Sequence, residues 1–307
     1  MKKFLTRSYL WAIITSLLLT SGSAYVLLDA FVFEKAYAVI SESDTNADSS
    51  ANVVTDQTTT DTTVETVVTS NTYTDGNISI KIETVTENSV VYYVADIQLA
   101  SAEYLKTAFA NNTYGKNITA STSATATANN AIFAINGDFY GFRDTGLIIR
   151  NGILYRDVAR SSPDNQALIL NADGNLMTVT EGTISGTTLI DQGVQQSFSF
   201  GPVLVQNSKA VFISTKVASS ANPRTALGQI SPLHYIIVVV DGRSSTSNGM
   251  TLSQLAQVFV QKRCTIAYNL DGGGSSTMWF NGSIINHPTD GKTSGERKVS
   301  DIIYIGG

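Results

Sequence analysis

Several short segments of this chain set glycine beside Asp, Asn or Arg at the end of an apolar run, where a ligand can be met by backbone and side chain together. The sharpest is Asn269-Leu270-Asp271-Gly272-Gly273-Gly274-Ser275-Ser276-Thr277, which follows the run from Thr265 to Tyr268. Three consecutive glycines cost backbone entropy, so packing alone seldom selects them. They let N–H groups approach a ligand closely and build an anion-binding nest. A second segment, Asn136-Gly137-Asp138-Phe139-Tyr140-Gly141, ends the run Ala131 to Ile135. It presents an amide and a carboxylate on a glycine turn, and a plain hairpin turn fits the same residues. In Asn222-Pro223-Arg224-Thr225-Ala226, proline stiffens the approach to an arginine suited to phosphate or carboxylate. Asp241-Gly242-Arg243 closes the most apolar run, Ile236 to Val240.

Other chemistry is excluded by what the chain lacks. No lysine follows the three glycines and no Gly-x-Gly-x-x-Gly occurs, so phosphate-loop and dinucleotide binding do not fit. A single cysteine, Cys264, and two histidines, His234 and His287, rule out thiolate zinc sites and a multi-histidine cage. Neither histidine lies in the glycine segments, so a serine nucleophile with a histidine base fits poorly. The formal charge of −5 argues against nucleic acid as a partner.

The elements that must hold these segments are mostly strands. Ile78-Ser79-Ile80-Lys81-Ile82 and Val90-Val91-Tyr92-Tyr93-Val94 have strand character, as do Leu168 to Leu170, Ile236 to Val240 and Ile302 to Ile305. Helical spacing appears in residues 101–110, more weakly in 119–130, and best in 251–262, where Thr251 is a candidate N-cap. Strands outnumber helices without alternating with them. The expected fold is therefore α+β, a strand-rich mixed sheet with a few packed helices.

Residues 1–40 look like a targeting segment. Lys2, Lys3 and Arg7 precede a stretch of 21 residues, 8–28, that carries no charge. That length suits a membrane span with the N-terminus in the cytoplasm. A long signal peptide cut after Ala38 is the competing reading. Residues 41–72 are rich in Ser and Thr, and their charges are all acidic: Glu42, Asp44, Asp48, Asp56, Asp61 and Glu65. Such a stretch reads as a solvated tether, although Val64, Val67 and Val68 allow a strand in its second half. Residues 73–307 form the expected folded domain. With 43% hydrophobic and 15% charged residues over the whole chain, the material for a core is ample.

Taken in order, Asn-Gly-Asp-Phe, the Phe-Gly-Pro-x-Leu of Phe200 to Leu204, Asn-Pro-Arg-Thr-Ala, Asp-Gly-Arg and Asn-Leu-Asp-Gly-Gly-Gly-Ser-Ser-Thr resemble the phosphodiester glycosidase family. The resemblance extends over roughly residues 90–307, including Arg297 to Asp301 near the end. It departs at Arg263-Cys264, where similar sequences place glycine after the helix.

The resemblance implies hydrolysis of a sugar-1-phosphodiester to free sugar and phosphomonoester, with a phosphodiester-linked glycan as substrate. Carboxylates must then serve an oxocarbenium-like anomeric carbon, and cations or amides must hold phosphate. Asp271 is the expected main catalytic carboxylate, with Asp138 or Asp241 as the second. Arg224 and Arg243 are the expected phosphate ligands, helped by Gly272, Gly273, Gly274 and Ser275, and Asn136 is expected on a sugar hydroxyl. No cofactor is required. A divalent cation between two aspartates is compatible with the residues, but no ligand spacing demands it. A non-catalytic glycan-binding module and a metal-dependent phosphodiesterase cutting the P–O bond are the other readings.

Overall fold

The run Ile236-Ile237-Val238-Val239-Val240 is apolar at every position because its strand is covered on both faces. The computed structural model describes residues 7–40, 65–162, 164–211, 218–291 and 293–306. In it the strand His234–Val240 lies inside a nine-stranded sheet. Tyr235, Ile237 and Val239 join Ile80, Ile97, Phe133, Ile135 and Ile303 in the main core. Ile236, Val238 and Val240 face the other way, onto Leu255, Ala256 and Phe259 of the helix Leu252–Gln261. A period of two along the strand thus serves two separate cores.

A five-stranded sheet supplies the opposite wall of the main core. Its order is Ser283–Ile284, Met278–Phe280, Ala131–Asn136, Asp301–Gly306, Leu105–Phe109. Phe133, Ile135, Ile303 and Ile305 point inward, while Ala134, Ile302 and Tyr304 pack toward Ala126 of the helix Thr122–Ala128. The layers run helix, sheet, sheet, helix, an α+β architecture. A three-stranded sheet adds Leu168, Leu170 and Phe198 to the main core. Among the described residues every strand pairing is antiparallel, so the sheets are not mixed as expected.

Residues 101–110 are not a helix. A 3-10 turn, Ala102–Tyr104, capped by Ser101, leads into the strand Leu105–Phe109. Pairing with Asp301–Gly306 satisfies that backbone, and tertiary pairing overrides a helical spacing too short to stand alone. The helix in 119–130 spans Thr122–Ala128, with Ser121 as N-cap.

The helix Leu252–Gln261 starts with a capping box. Thr251 Oγ1 accepts from the Gln254 N–H at 3.2 Å, and Gln254 Oε1 accepts from the Thr251 N–H at 2.9 Å. It ends with both bonds of a Schellman motif, Arg263 N–H to Val260 O and Cys264 N–H to Phe259 O, each 2.9 Å. The residue at the left-handed position is Arg263, at φ +63°. Arg263→Gly should therefore stabilise the protein by about 1 kcal/mol, read as a raised thermal midpoint. An unchanged or lowered midpoint would contradict this account of the helix end.

The folded part begins earlier than residue 73, since Val67–Val68 and Thr72–Thr74 are the last two strands of the nine-stranded sheet. Within the expected tether, residues 41–64 lie outside the described residues. The N-terminal helix spans Arg7–Phe31; residues 9–28 of it are exposed, and an 18-residue stretch within Tyr9–Phe31 has a mean hydropathy of 1.6. It is long and apolar enough to cross a membrane, and a signal sequence has the same form. After it, Lys35–Val39 forms a strand that pairs with Thr113–Lys116, for which the sequence offered no signal.

Candidate active site

Antiparallel pairing brings the end of one strand beside the start of the next, and here it gathers the glycine segments at one edge of the two sheets. Arg224 is opposite Val240, Ala226 opposite Asn269, Ile302 opposite Asn136, and Met278 opposite Ile135. The loops after Val240, Asn269 and Asn136 therefore leave from neighbouring positions.

Asn136 ties them together. Its Nδ2 donates to Asp271 O at 2.8 Å, and its Oδ1 accepts from Thr225 Oγ1 at 2.8 Å and from the Thr277 N–H at 3.3 Å. The residue is wholly buried. Its amide is spent on bracing both ends of the Asp271 loop, which leaves the expected sugar contact without a free group.

Asp271 is the one partly exposed carboxylate among the three expected acids. Its Oδ1 accepts from the Gly272 N–H at 2.9 Å. Burial pushes its pKa above the usual carboxylate range, against the opposing pull of Ser275, the Gly272 amide and the Arg297 charge. The glycine amides do not all face outward, however. Gly272 N–H is taken by Asp271 itself, and Gly273 N–H donates to Pro223 O at 2.9 Å. Those two are thus not the anion donors expected of them. Gly273, at φ +64°, instead lies under the Arg243 guanidinium, where a Cβ would stand 3.1 Å from Nη2. At Gly274 a Cβ would stand 2.5 Å from Asp290 Oδ1. The triple glycine clears space for an arginine and an ion pair. Ser275 is buried behind this loop.

Three arginines surround the loop. Arg243 is exposed, sits at φ +58°, and donates from Nη2 to Asn222 Oδ1 at 3.0 Å. Arg224 is buried, with Nε donating to Met250 O at 3.1 Å and Nη2 to Ser220 O at 2.8 Å. Burial first, then the charge of Arg243, lowers its pKa to about 10. Arg297, not among the expected ligands, pairs with Asp290 through Nη2 at 2.5 Å and Nε at 3.0 Å. It belongs to the closing Glu-Arg-Lys-Val-Ser-Asp, the signal that could have found it.

Asp241 is buried and heavily bonded. It accepts from Tyr93 Oη at 3.3 Å, Asn286 Nδ2 at 3.0 Å and the His287 N–H at 3.0 Å. Asn286 Nδ2 also donates to Ser276 O, which binds this cluster to the Asp271 loop. The His287 ring, 83% exposed, sets Nδ1 3.4 Å from Asp241 Oδ2 and 3.2 Å from Tyr93 Oη. The sequence set this histidine aside because it lies outside the glycine segments. Only the pairing of distant strands brings it here.

Asp138 lies deeper. Its carboxylate is fully buried and receives the N–H groups of Tyr140 at 3.0 Å and Ser199 at 2.8 Å. Arg150 Nη2 approaches its Oδ1 at 3.2 Å and also binds Asp301 Oδ2 at 2.7 Å. Despite the burial penalty, Arg150, Arg143 and the Ser199 amide hold Asp138 below the usual range, whereas burial and the Asp138 charge push Asp301 up. Among the described residues no group of three or more His, Cys, Asp or Glu is placed to hold a metal ion.

Residues 129–306, more than half of the chain, match the family model for phosphodiester glycosidase. The chain belongs to the phosphodiester glycosidase family. Among relatives of this chain, the SPbeta prophage-derived uncharacterized protein YomE of Bacillus subtilis (strain 168) is 34% identical over 183 residues, covering 57% of this chain and 28% of that protein. N-acetylglucosamine-1-phosphodiester alpha-N-acetylglucosaminidase of Bos taurus is 26% identical over 190 residues, 56% of this chain and 35% of that protein. The alignments thus span between 28% and 36% of the length of these curated relatives. In structure, the chain is similar to the zebrafish catalytic domain of that enzyme, auto-inhibited by pro-peptide. The TM-score is 0.62 at 21% identity, over 80% of this chain and 88% of that one. That likeness is one of fold.

Proposed function

We propose that this chain is a membrane-anchored, cell-surface hydrolase that releases free sugar and a phosphomonoester from a sugar-1-phosphodiester in cell-wall or exopolysaccharide material. The observation that carries the reading is a carboxylate, Asp271, partly exposed, within reach of the Arg297 charge and on a loop whose Gly273 lies under the Arg243 guanidinium. Water adds to the anomeric carbon as the C–O bond to phosphate breaks, and the bonding pair leaves with the phosphate oxygen. Asp271 meets the positive charge that grows at the anomeric carbon, as nucleophile or as base toward water. Arg243 holds the phosphate, with Arg224 and Arg297 adding positive field. A phosphomonoester leaves readily, so the site has little need of a strong general acid. Asp241 suits the second role better than Asp138, because it is joined to the exposed His287 ring, whereas Asp138 is locked behind Arg150.

Products separate the readings. Hydrolysis in ¹⁸O-water should place the label in the released sugar. Label in phosphate, with sugar-1-phosphate as co-product, would instead mark a P–O-cleaving phosphodiesterase, and binding without turnover would mark a glycan-binding module. Arg243→Ala should raise KM for a phosphodiester about tenfold or more, the worth of one charge-assisted contact, with a smaller change in kcat. A phosphate-free aryl glycoside, if cleaved, should be affected far less. As an anchored protein, the mature chain should keep Met1 and pellet with membranes in high salt. A soluble form beginning at Val39 would establish the signal peptide.

A further inference from the structure

Between the apolar helix and the acidic Ser/Thr-rich stretch, the chain makes a set of contacts that a mere spacer would not need. Lys35 is opposite Lys116, Ala36 opposite Gly115, Ala38 opposite Tyr114 and Val39 opposite Thr113, and the Ile40 N–H donates to Asn112 O at 2.8 Å. A Cβ at Gly115 would lie 2.0 Å from Lys35 O, so this strand can approach only because the residue is glycine. Asn117, at φ +59°, donates from Nδ2 to Phe33 O at 3.0 Å and to Ala30 O at 3.4 Å, which takes up carbonyls at the helix end. Lys35 Nζ closes the turn on Asp29 at 2.6 Å.

The docked segment also reaches the interior. Ala38 and Ile40 pack on Phe109, Tyr114, Tyr140 and Ile148, and the Tyr37 ring lies 5.7 Å from that of Tyr114. Tyr140 follows Asp138 by two residues, and the Arg150 guanidinium stands 5.9 Å from its ring centroid. The strand is therefore fastened to the same wall that carries the buried Asp138–Arg150–Asp301 network.

We propose that residues 35–40 are an integral strand of the catalytic domain, clamping it directly to the end of the apolar helix. Residues 35–40, and not the acidic stretch that follows them, then set the distance between membrane and enzyme. An anchored enzyme built this way works at a fixed, short height above the bilayer, on membrane-proximal glycan. Cleavage after Ala38 would remove most of the strand. The clamp itself rests on backbone geometry and not on the catalytic reading.

Hydrogen exchange on the full-length chain in detergent micelles tests this. Peptides covering residues 35–40 should exchange about a hundredfold or more slowly than a free peptide of the same sequence. Asn117→Gly keeps the left-handed backbone but deletes the two side-chain bonds, and Gly115→Val places atoms where Lys35 O lies. Each should speed exchange in 35–40 by about tenfold or more while Val90–Leu99 stays protected, which shows the domain still folded. If residues 35–40 in the unmodified chain exchange as fast as that free peptide, the clamp does not exist. If they are protected but neither variant changes that, the micelle and not the Thr113–Lys116 strand is covering them, and the proposal fails equally.

Discussion

Asp271→Asn should abolish sugar release while leaving the protein folded and somewhat more stable at neutral pH. The substitution keeps the loop's shape and removes the charge that would oppose an oxocarbenium-like centre. Losing such a carboxylate costs several orders of magnitude in rate, about 4 kcal/mol or more of transition-state stabilisation. The stability gain follows from the raised pKa. A carboxyl whose folded pKa exceeds its unfolded value contributes stability below the unfolded pKa, and that contribution is lost as pH rises through the folded pKa. Once ionised, the folded Asp271 is a net cost that Asn avoids. The same shift places the acid limb of the unmodified enzyme's activity above the ordinary carboxylate range near 3.8, because the group must be ionised to act. A folded Asp271→Asn variant with near-full turnover would sink the catalytic assignment. A variant that is inactive but also melts early would show that the loop, and not the charge, had been lost.

Arg150→Met should have the largest effect on stability. Its guanidinium is buried and bonds Asp301 Oδ2 through Nε at 3.0 Å and Nη2 at 2.7 Å, and Asp138 Oδ1 through Nη2 at 3.2 Å. Nη1 donates to Ile149 O and Ser197 O, and the group stands 4.8 Å from the Phe198 ring centroid. Removing it leaves two buried carboxylates without their shared counter-charge. Breaking a buried pair in this way costs about 3–5 kcal/mol. Both acids must then take up protons to stay buried, so their folded pKa values rise. The deficit relative to the unmodified protein should therefore shrink as pH falls toward the ordinary carboxylate range, and grow as it rises. Melting curves of both proteins across that range test the claim. A deficit that does not change with pH would mean that the loss is one of packing alone. Arg150→Lys should fall between the two, since it restores charge without the planar fork.

What local residue order determined was the type of most elements. A period-two pattern marked residues 78–82 and 90–94, which lie within the strands Ile78–Glu87 and Val90–Leu99, and Thr251 marked a helix start, because each signal is complete within a few residues. The residues 101–110 failed this reading because their backbone is satisfied by Asp301–Gly306, nearly two hundred residues away. The glycine segments lie on loops that gather at one edge of the sheets.

What each site residue does there was decided only by tertiary structure. Asn136 reaches the Asp271 carbonyl across 135 positions, Asp138 meets Arg150 and, through it, Asp301, and Asn286 joins Asp241 to Ser276. A sequence shows that an amide or carboxylate is present but not which of its hydrogen-bonding sites are already taken. That depends on the partners that antiparallel register sets opposite it. So Asn136 became a brace, two glycine amides turned inward, and His287 arrived beside Asp241, each by pairing over a distance that no local pattern encodes.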